Sequence, residues 1–268
     1  MSRGSGDAFQ LIQKKTGPRE FIAMGLPTFG TVHIGWAMRA FGMLRVPMNR
    51  TMRHYIVEGN EVGLARNEIV QRVLESENHE MRCSHIFFVD DDVLLHPESL
   101  LKLYADDRDI VSGLYYSKTV VPQPLVLMEE GTQRSWNPGE MVECWAHGMG
   151  LTLIKAEVFR RMRDELDLGT DSEGNPCWFK TTRDAMLIRP DGAPAMMNQT
   201  EDVYFLRRAA ELGYQPCVDT SFQTFAFHWA NNERRAYPLK QWEEFTETGG
   251  ARITWTDTPD GKPVVWGG

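Results

Sequence analysis

Ile86-Phe87-Phe88-Val89-Asp90-Asp91-Asp92 joins an uncharged apolar run directly to three consecutive carboxylates. The apolar half predicts a buried strand, so the acidic half should lie at the edge of a sheet. Three adjacent carboxylates repel one another by roughly 1 kcal/mol per close pair in a solvated setting. Their oxygen atoms suit a hard divalent ion such as Mg²⁺ or Mn²⁺, and such ions commonly hold a substrate's phosphates as well. The alternative is a solvated turn rich in Asp.

The composition is that of a soluble globular protein. The chain has 268 residues, 42% of them hydrophobic and 25% charged, which is enough for one domain or one domain with an appended piece. The formal net charge of −8 argues against a broad basic surface for nucleic acid. A local basic patch stays open, formed by Lys14, Lys15, Arg19, Arg45, Arg50 and Arg53. A nucleic acid acceptor is therefore neither shown nor excluded.

Cysteine spacing and hydropathy bear on location. The four cysteines lie far apart without a C-x-x-C pair, which indicates neither a zinc knuckle nor a disulfide framework. Reduced thiols favour a cytoplasmic protein. Residues 21–38 are nearly free of charge, but glycines and a proline interrupt them, so we expect strand, loop and helix rather than a membrane span. The first twenty residues do not resemble a signal peptide.

Short apolar runs alternate with helical patterns over the first 115 residues, which predicts an α/β domain with a largely parallel sheet. The predicted strands are Phe21–Leu26, Tyr55–Val57, Ile86–Val89 and Ile110–Tyr116. The predicted helices are His33–Leu44, a helix from about Gly63, and Glu98–Tyr104.

The second half has a different pattern. Leu125–Met128 and Met141–Trp145 flank a turn at 137–139, which predicts an antiparallel excursion. Residues 168–199 are rich in Gly, Pro, Asp and Asn, and so long a weakly patterned stretch predicts a functional loop. The remaining predicted elements are the strand Leu151–Ile154, the helix Ala156–Arg163, the helix Glu201–Leu212 with Thr200 as its cap and Gly213 at its end, and a terminal hairpin of Ile253–Thr256 and Pro263–Trp266.

Ligands of open α/β sheets gather at the carboxyl ends of the strands, where several polar pieces are expected. Gly25–Thr28 either brings backbone against a nucleotide or is an ordinary strand-to-helix loop. Arg66 has a planar fork that suits phosphate or a base edge, or is simply solvated. The pair Glu201-Asp202 opens a helix, where the macrodipole alone favours acids. His228 ends an apolar run and is either a core residue or a neutral imidazole that reaches a metal ion.

In their order along the chain these pieces resemble GT-A fold glycosyltransferases, especially the inverting group that resembles family 2, over about residues 20–230. The resemblance implies a GT-A type α/β fold, with a Rossmann-like, mostly parallel sheet flanked by helices and a smaller antiparallel acceptor-side part. It implies a nucleotide-binding half at 20–116 and an acceptor half at 117–230. An N-terminal segment, 1–19, and a C-terminal extension, 231–268, lie outside it.

The resemblance also implies donor-site roles. The acidic stretch matches the family's DXD motif, with Asp90 near the donor's ribose and Asp92 on the divalent metal, Mn²⁺ or Mg²⁺, that bridges the diphosphate. Asp90 is a second metal candidate, Asp91 is a further member of the nucleotide site, and His228 resembles the late metal-binding histidine. The expected nucleoside, diphosphate and sugar contacts further include Pro27, Thr28, Arg66, Asn67 and Gly148.

On the acceptor side, Asp202 is the expected general base, with Glu201 close behind. Trp145, His147 and Trp229 either stack on sugar faces or pack in the core. The function expected is metal-dependent transfer of a sugar from a nucleoside-diphosphate sugar to an acceptor hydroxyl or other nucleophile, with inversion. The acceptor, whether saccharide, protein, lipid-linked sugar or modified nucleic acid base, stays open. So do a retaining transferase, a metal-dependent nucleotidyltransferase and a non-catalytic nucleotide-sugar binder. The compact chain would suit a bacterial or phage enzyme.

Overall fold

The structure, a computed structural model, describes residues 19–119, 122–128, 131–132, 136–137, 139–188, 194–222, 225–230, 234–237, 253–255 and 264–266. Its strands are β1 Arg19–Thr28, β2 Thr51–Glu58, β3 Met81–Val89, β4 Val93–Leu95, β5 Ile110–Gly113, β6 Val126–Met128, β7 Gly131–Thr132, β8 Met141–Glu143, β9 Ala146–His147, β10 Leu151–Lys155, β11 Thr182–Ile188, β12 Pro194–Gln199, β13 Cys217–Asp219, β14 Ala226–Ala230, β15 Arg235–Tyr237, β16 Ile253–Trp255 and β17 Val264–Trp266.

The helices are α1 Ile34–Ala37, which continues as a π-helical stretch over Met38–Met43, α2 Val62–Glu75, α3 Ser99–Ala105, α4 Ala156–Glu165 and α5 Glu201–Ala210. None of the helices in the described ranges has both the length and the apolar character needed to cross a membrane.

Seven strands form the main sheet in the order β2-β1-β3-β10-β5-β13-β8. Five of them run in one direction, whereas β10 and β8 are antiparallel to their neighbours. Smaller antiparallel sheets are formed by β15-β14-β4, β7-β6-β9, β11-β12 and β16-β17. The expected α/β class, with a mostly parallel sheet, flanking helices and smaller antiparallel parts, is confirmed.

Apolar side chains cover both faces of the main sheet. Along β1, Phe21 and Ala23 pack with α2, α4 and α5, while Ile22 and Met24 pack with α1 and α3. All four side chains are buried. Because both faces are buried, β1 and β3 carry continuous apolar runs rather than an alternating pattern. In β1 the polar residues are thereby left at the two ends of the strand.

Several boundaries in the first half differ from the prediction, and two of the differences lie beside the acidic turn. β1 reaches Thr28, so Pro27 and Thr28, expected in an exit loop, still lie in register with Val57 and Glu58 of β2. The first helix, predicted as His33–Leu44, is α-helical only over its first turn and π-helical afterwards.

The antiparallel excursion between Leu125–Met128 and Met141–Trp145 is paired differently from the prediction. β8 joins the edge of the main sheet beside β13, while β6 pairs with β7 and β9. The Glu140 N–H donates to the Asn137 carbonyl at 3.0 Å, but a turn signal at this point does not determine which sheet edge the returning strand joins.

The region around α5 also contains corrections. The hydroxyl of Thr200 donates to the Asp202 carboxylate instead of accepting a backbone N–H, so the expected side-chain cap is wrong. Gly213 has a φ of +84°, which fits its expected place after the helix. The 168–199 stretch contains the paired strands β11 and β12, so it is more regular than the expected loop.

Candidate functional site

The three carboxylates lie at the carboxyl end of β3, where the buried run Ile86–Val89 reaches the edge of the sheet. A turn closed by the Val93 N–H and the Asp90 carbonyl, 3.1 Å apart, sends the chain into β4 and out of the main sheet. The turn expected in the alternative interpretation is therefore present. Its carboxylates are not simply solvated, because each one has its own protein partner.

Asp90 is held by Arg66. The guanidinium Nη2 lies 2.7 Å from Asp90 Oδ1, and Nη1 lies 2.5 Å from Glu201 Oε1. Only 2% of the Arg66 side chain is exposed. Burial opposes its charge, but the charges of Asp90 and Glu201 outweigh burial and raise its pKa. Arg66 ties the end of β3 to the start of α5, and its expected contact with the diphosphate stays a prediction.

Close backbone packing supports Asp90 from the other side. A Cβ placed on Gly150 would lie 2.7 Å from Asp90 Oδ2, so only glycine fits there without a shift. The Gly150 N–H donates to the Tyr115 hydroxyl at 2.9 Å. At Gly148, a Cβ would lie 2.4 Å from that same hydroxyl. The structure thus places Gly148, an expected sugar contact, against Tyr115.

Asp91 connects the acidic turn to the end of β1. Its Oδ2 accepts a hydrogen bond from the Thr28 hydroxyl at 2.7 Å and a longer one from the Phe29 N–H at 3.4 Å. Burial raises the pKa of Asp91, which the Thr28 hydrogen bond partly offsets. Two expected site residues are therefore brought together here.

Asp92 lies beside His228, the other expected metal ligand. The register of β14 with β4 places His228 opposite Val93, and its Nε2 lies 3.2 Å from Asp92 Oδ1. The other carboxylate oxygen accepts a hydrogen bond from the Lys118 ammonium. Burial alone would raise the pKa of Asp92, but His228 and Lys118 outweigh it and hold the pKa at about 2.

The donor atoms of this pair fit a divalent ion. The Nδ1 of His228 lies 3.0 Å from the carbonyl oxygen of Tyr116, which can only accept a hydrogen bond, so a neutral ring that donates from Nδ1 keeps the Nε2 lone pair for a metal ion. A carboxylate oxygen and an imidazole nitrogen together suit Mn²⁺. Among the described residues no group of three or more His, Cys, Asp or Glu is arranged to hold a metal. Asp90, the other metal candidate, directs Oδ1 at Arg66 instead.

A cleft of about 980 Å³ opens beside Asp91 and Asp92, a size suited to a nucleotide or similar ligand. The His33 ring lies over Trp229 with 4.2 Å between ring centroids, and Phe29 is 79% exposed at the cleft. The described lining residues are Phe29, Thr31, Val32, His33, Ile34, Asp91, Asp92, Lys118, Trp229 and Ala230. The cleft thus combines apolar and aromatic walls with two carboxylates and one ammonium group.

The expected acceptor-side acids lie at the start of α5. Asp202 Oδ1 accepts hydrogen bonds from the Val203 N–H, at 2.8 Å, and from the Thr200 hydroxyl. Burial raises the pKa of Glu201, and Arg66 opposes that effect. Neither acid is among the described residues that line the cleft. Their catalytic roles stay predictions.

Other expected residues have structural partners. Asn67 is buried, and its side-chain amide makes two 2.8 Å hydrogen bonds with the backbone of Phe179, so it anchors a loop rather than facing the cleft. Trp145 is partly buried against the core. His147 is fully buried, with Nδ1 3.0 Å from the Gly148 carbonyl and no partner for Nε2 among the described residues.

His147 should make stability depend on pH. Burial lowers its folded-state pKa to about 4 from 6.5, so between these values the unfolded chain binds more protons and stability falls as pH falls. We expect this residue to cost about 2 kcal/mol of unfolding free energy between pH 7 and pH 5. Urea unfolding of wild type and His147→Gln at both pH values measures it, with exposed His79→Gln as control. Equal pH dependence in all three proteins would contradict the assignment.

No protein-family model matches the chain, and no curated protein sequence matches it. Among solved structures, A197 from STIV has 18% sequence identity and a TM-score of 0.48, with 81% of this chain and 92% of that chain covered. GalNAc-T7, solved with UDP, GalNAc and Mn²⁺, has 12% identity and a TM-score of 0.42 over 75% of this chain. This chain spans only 42% of the GalNAc-T7 chain. At such levels neither likeness extends to function.

Proposed function

We propose that this chain is a metal-dependent glycosyltransferase that moves a sugar from a nucleoside-diphosphate sugar to an acceptor nucleophile. The observation that carries the proposal is the meeting of Asp92 and His228, 3.2 Å apart at the carboxyl end of β3, beside a nucleotide-sized cleft. These residues come from positions 136 apart in the sequence, and their donor atoms fit the expected ion.

The donor would occupy the cleft. Asp92 and His228 would hold Mn²⁺ or Mg²⁺ at its edge. When bound, the ion neutralises negative charge on the departing diphosphate. Trp229 and His33 offer aromatic surface for the nucleobase or sugar. Asp90 stays a candidate ribose contact, although Arg66 already holds its Oδ1.

The acceptor would be activated by a carboxylate. In the inverting form of the reaction, Asp202 takes the proton of the nucleophile, the nucleophile bonds to the anomeric carbon, and the bond from that carbon to the diphosphate breaks. Asp202 is favoured over Glu201 because the Glu201 carboxylate is paired with buried Arg66 at 2.5 Å. This division gives the two adjacent acids different tasks.

Thermal unfolding with a panel of nucleotide sugars, with and without Mn²⁺, tests donor binding. A ligand at 100 times its Kd stabilises the native state by about 2.7 kcal/mol, which should raise Tm by several degrees. We expect the rise to need Mn²⁺ in wild type and to vanish in Asp92→Asn. Asp107→Asn, at an exposed position with its own lysine partner, is the matched control. A Tm rise that persists in Asp92→Asn would contradict the assignment.

Product analysis separates the reaction classes that the sequence leaves open. A glycosyltransferase releases a nucleoside diphosphate, whereas a nucleotidyltransferase releases pyrophosphate. Proton NMR of the anomeric signal in the first product distinguishes inversion from retention. Binding without either product would identify a nucleotide-sugar binder.

A further inference from the structure

Asp92 is engaged at both of its oxygens. His228 Nε2 lies 3.2 Å from Oδ1, and the Lys118 ammonium donates a hydrogen bond to Oδ2. Sequence reasoning missed Lys118 because it lies in a short segment without a periodic pattern. It is the one Lys or Arg among the described residues that line the cleft.

The backbone around Lys118 gives it a defined position. The Ser117 N–H donates to the Gln123 carbonyl at 2.9 Å, and the Gln123 N–H donates to the Ser117 hydroxyl at 3.0 Å. The Leu125 N–H further donates to the Tyr115 carbonyl at 3.0 Å. Residues 115 and 117, on the N-terminal side of Lys118, are therefore hydrogen-bonded to residues 123 and 125. The Lys118 side chain, 34% exposed, extends to Asp92.

We propose that Lys118 is a built-in counter-ion of the Asp92 site, which competes with a divalent ion for the carboxylate and contacts a donor phosphate once it is displaced. The competition with a divalent ion rests on the contact between Lys118 and Asp92 alone. The contact with a donor phosphate rests on the proposed function, because that function brings a diphosphate into the cleft.

Charge in the cleft supports both the competition and the phosphate contact. Asp91 and Asp92 repel an entering diphosphate, and Lys118 is the lysine beside them in the cleft. An ammonium group has three donors on a flexible stem, so it can leave one oxyanion for another without a change of backbone. If Asp92 held a metal ion, its carboxylate would no longer bind the Lys118 ammonium, which could then contact phosphate.

A titration of the nucleotide-free protein with Mn²⁺ tests the competition between Lys118 and the ion for Asp92. The EPR signal of free Mn²⁺ measures how much of the ion is bound. An ion pair of this exposure changes an equilibrium by up to about fivefold, so Lys118→Met should bind Mn²⁺ about three to five times more tightly than wild type. Lys118→Arg keeps the charge and should stay near wild type. Lys155→Met removes a comparably exposed lysine that pairs with Asp107 and Asp109, and it serves as control. Asp92→Asn identifies the Mn²⁺ bound at this site.

Calorimetric titration of the Mn²⁺ complex of inorganic pyrophosphate into protein saturated with Mn²⁺ tests the phosphate contact, because the proposal frees Lys118 from Asp92 only when the ion is bound. We expect Lys118→Met, but not Lys155→Met, to weaken that binding about fivefold. Unchanged Mn²⁺ affinity in Lys118→Met overturns the counter-ion role, and unchanged pyrophosphate affinity overturns the phosphate contact. Should wild type bind neither pyrophosphate nor any nucleotide sugar, the proposed function and the phosphate contact both fail. The Mn²⁺ comparison still decides the competition.

Discussion

Replacing Arg66 with methionine is expected to lower the free energy of unfolding by about 3 to 5 kcal/mol, the usual loss when one partner of a buried ion pair is removed. The guanidinium is 2% exposed and contacts Asp90 and Glu201 at 2.7 and 2.5 Å. Methionine keeps most of the stem's volume but leaves both carboxylates without their counter-charge. Urea unfolding at neutral pH measures the loss.

Two comparison proteins make this result specific. Arg72→Met removes an exposed pair with Glu68 on the same helix and should cost no more than about 0.5 kcal/mol. The triple variant Arg66→Met, Asp90→Asn, Glu201→Gln removes the uncompensated charges as well and should recover part of the loss. A loss in Arg66→Met no larger than that in Arg72→Met would show that the buried pair contributes little.

Much of the fold follows from local sequence pattern. The run Ile86–Val89 is apolar because both faces of the central sheet are covered, and that same burial places the acids after it at the edge. Helix α4 lies close to its predicted bounds, since its apolar side chains recur at helical spacing. The meeting of Asp92 with His228 also agrees with the order of motifs.

The features that the sequence does not predict depend on contacts between distant segments of the chain. Arg66 and Glu201 are 135 positions apart, and neither carries a local signal that it will be buried against the other. Asn67 has the same limitation, because its partner is the backbone of Phe179, 112 positions away. The pairing of β8 with β13 is a choice between sheet edges, which a turn signal cannot make. Residue type predicted where polar groups gather, but not which pairs form.

Asp202→Asn is expected to lower the rate of sugar transfer by about 10²- to 10⁴-fold, the usual contribution of a general base, while donor binding is retained. Asparagine keeps an oxygen that can accept from the Val203 N–H and the Thr200 hydroxyl, so the start of α5 should stay intact. It loses the basic carboxylate oxygen. Single-turnover transfer and nucleotide-sugar titration measure the two properties separately, with exposed Asp164→Asn as control.

Unaltered transfer in Asp202→Asn would remove Asp202 as the base, and the adjacent Glu201 offers no simple substitute. Its carboxylate is committed to Arg66, so Glu201→Gln should lower stability as well as any activity, whereas Asp202→Asn should lower activity alone. Full activity in Asp202→Asn would therefore favour a reaction without a carboxylate base at this helix. Retention of configuration at the anomeric carbon would then be the expected NMR result. Inversion together with the rate loss would instead identify Asp202 as the group that accepts the proton.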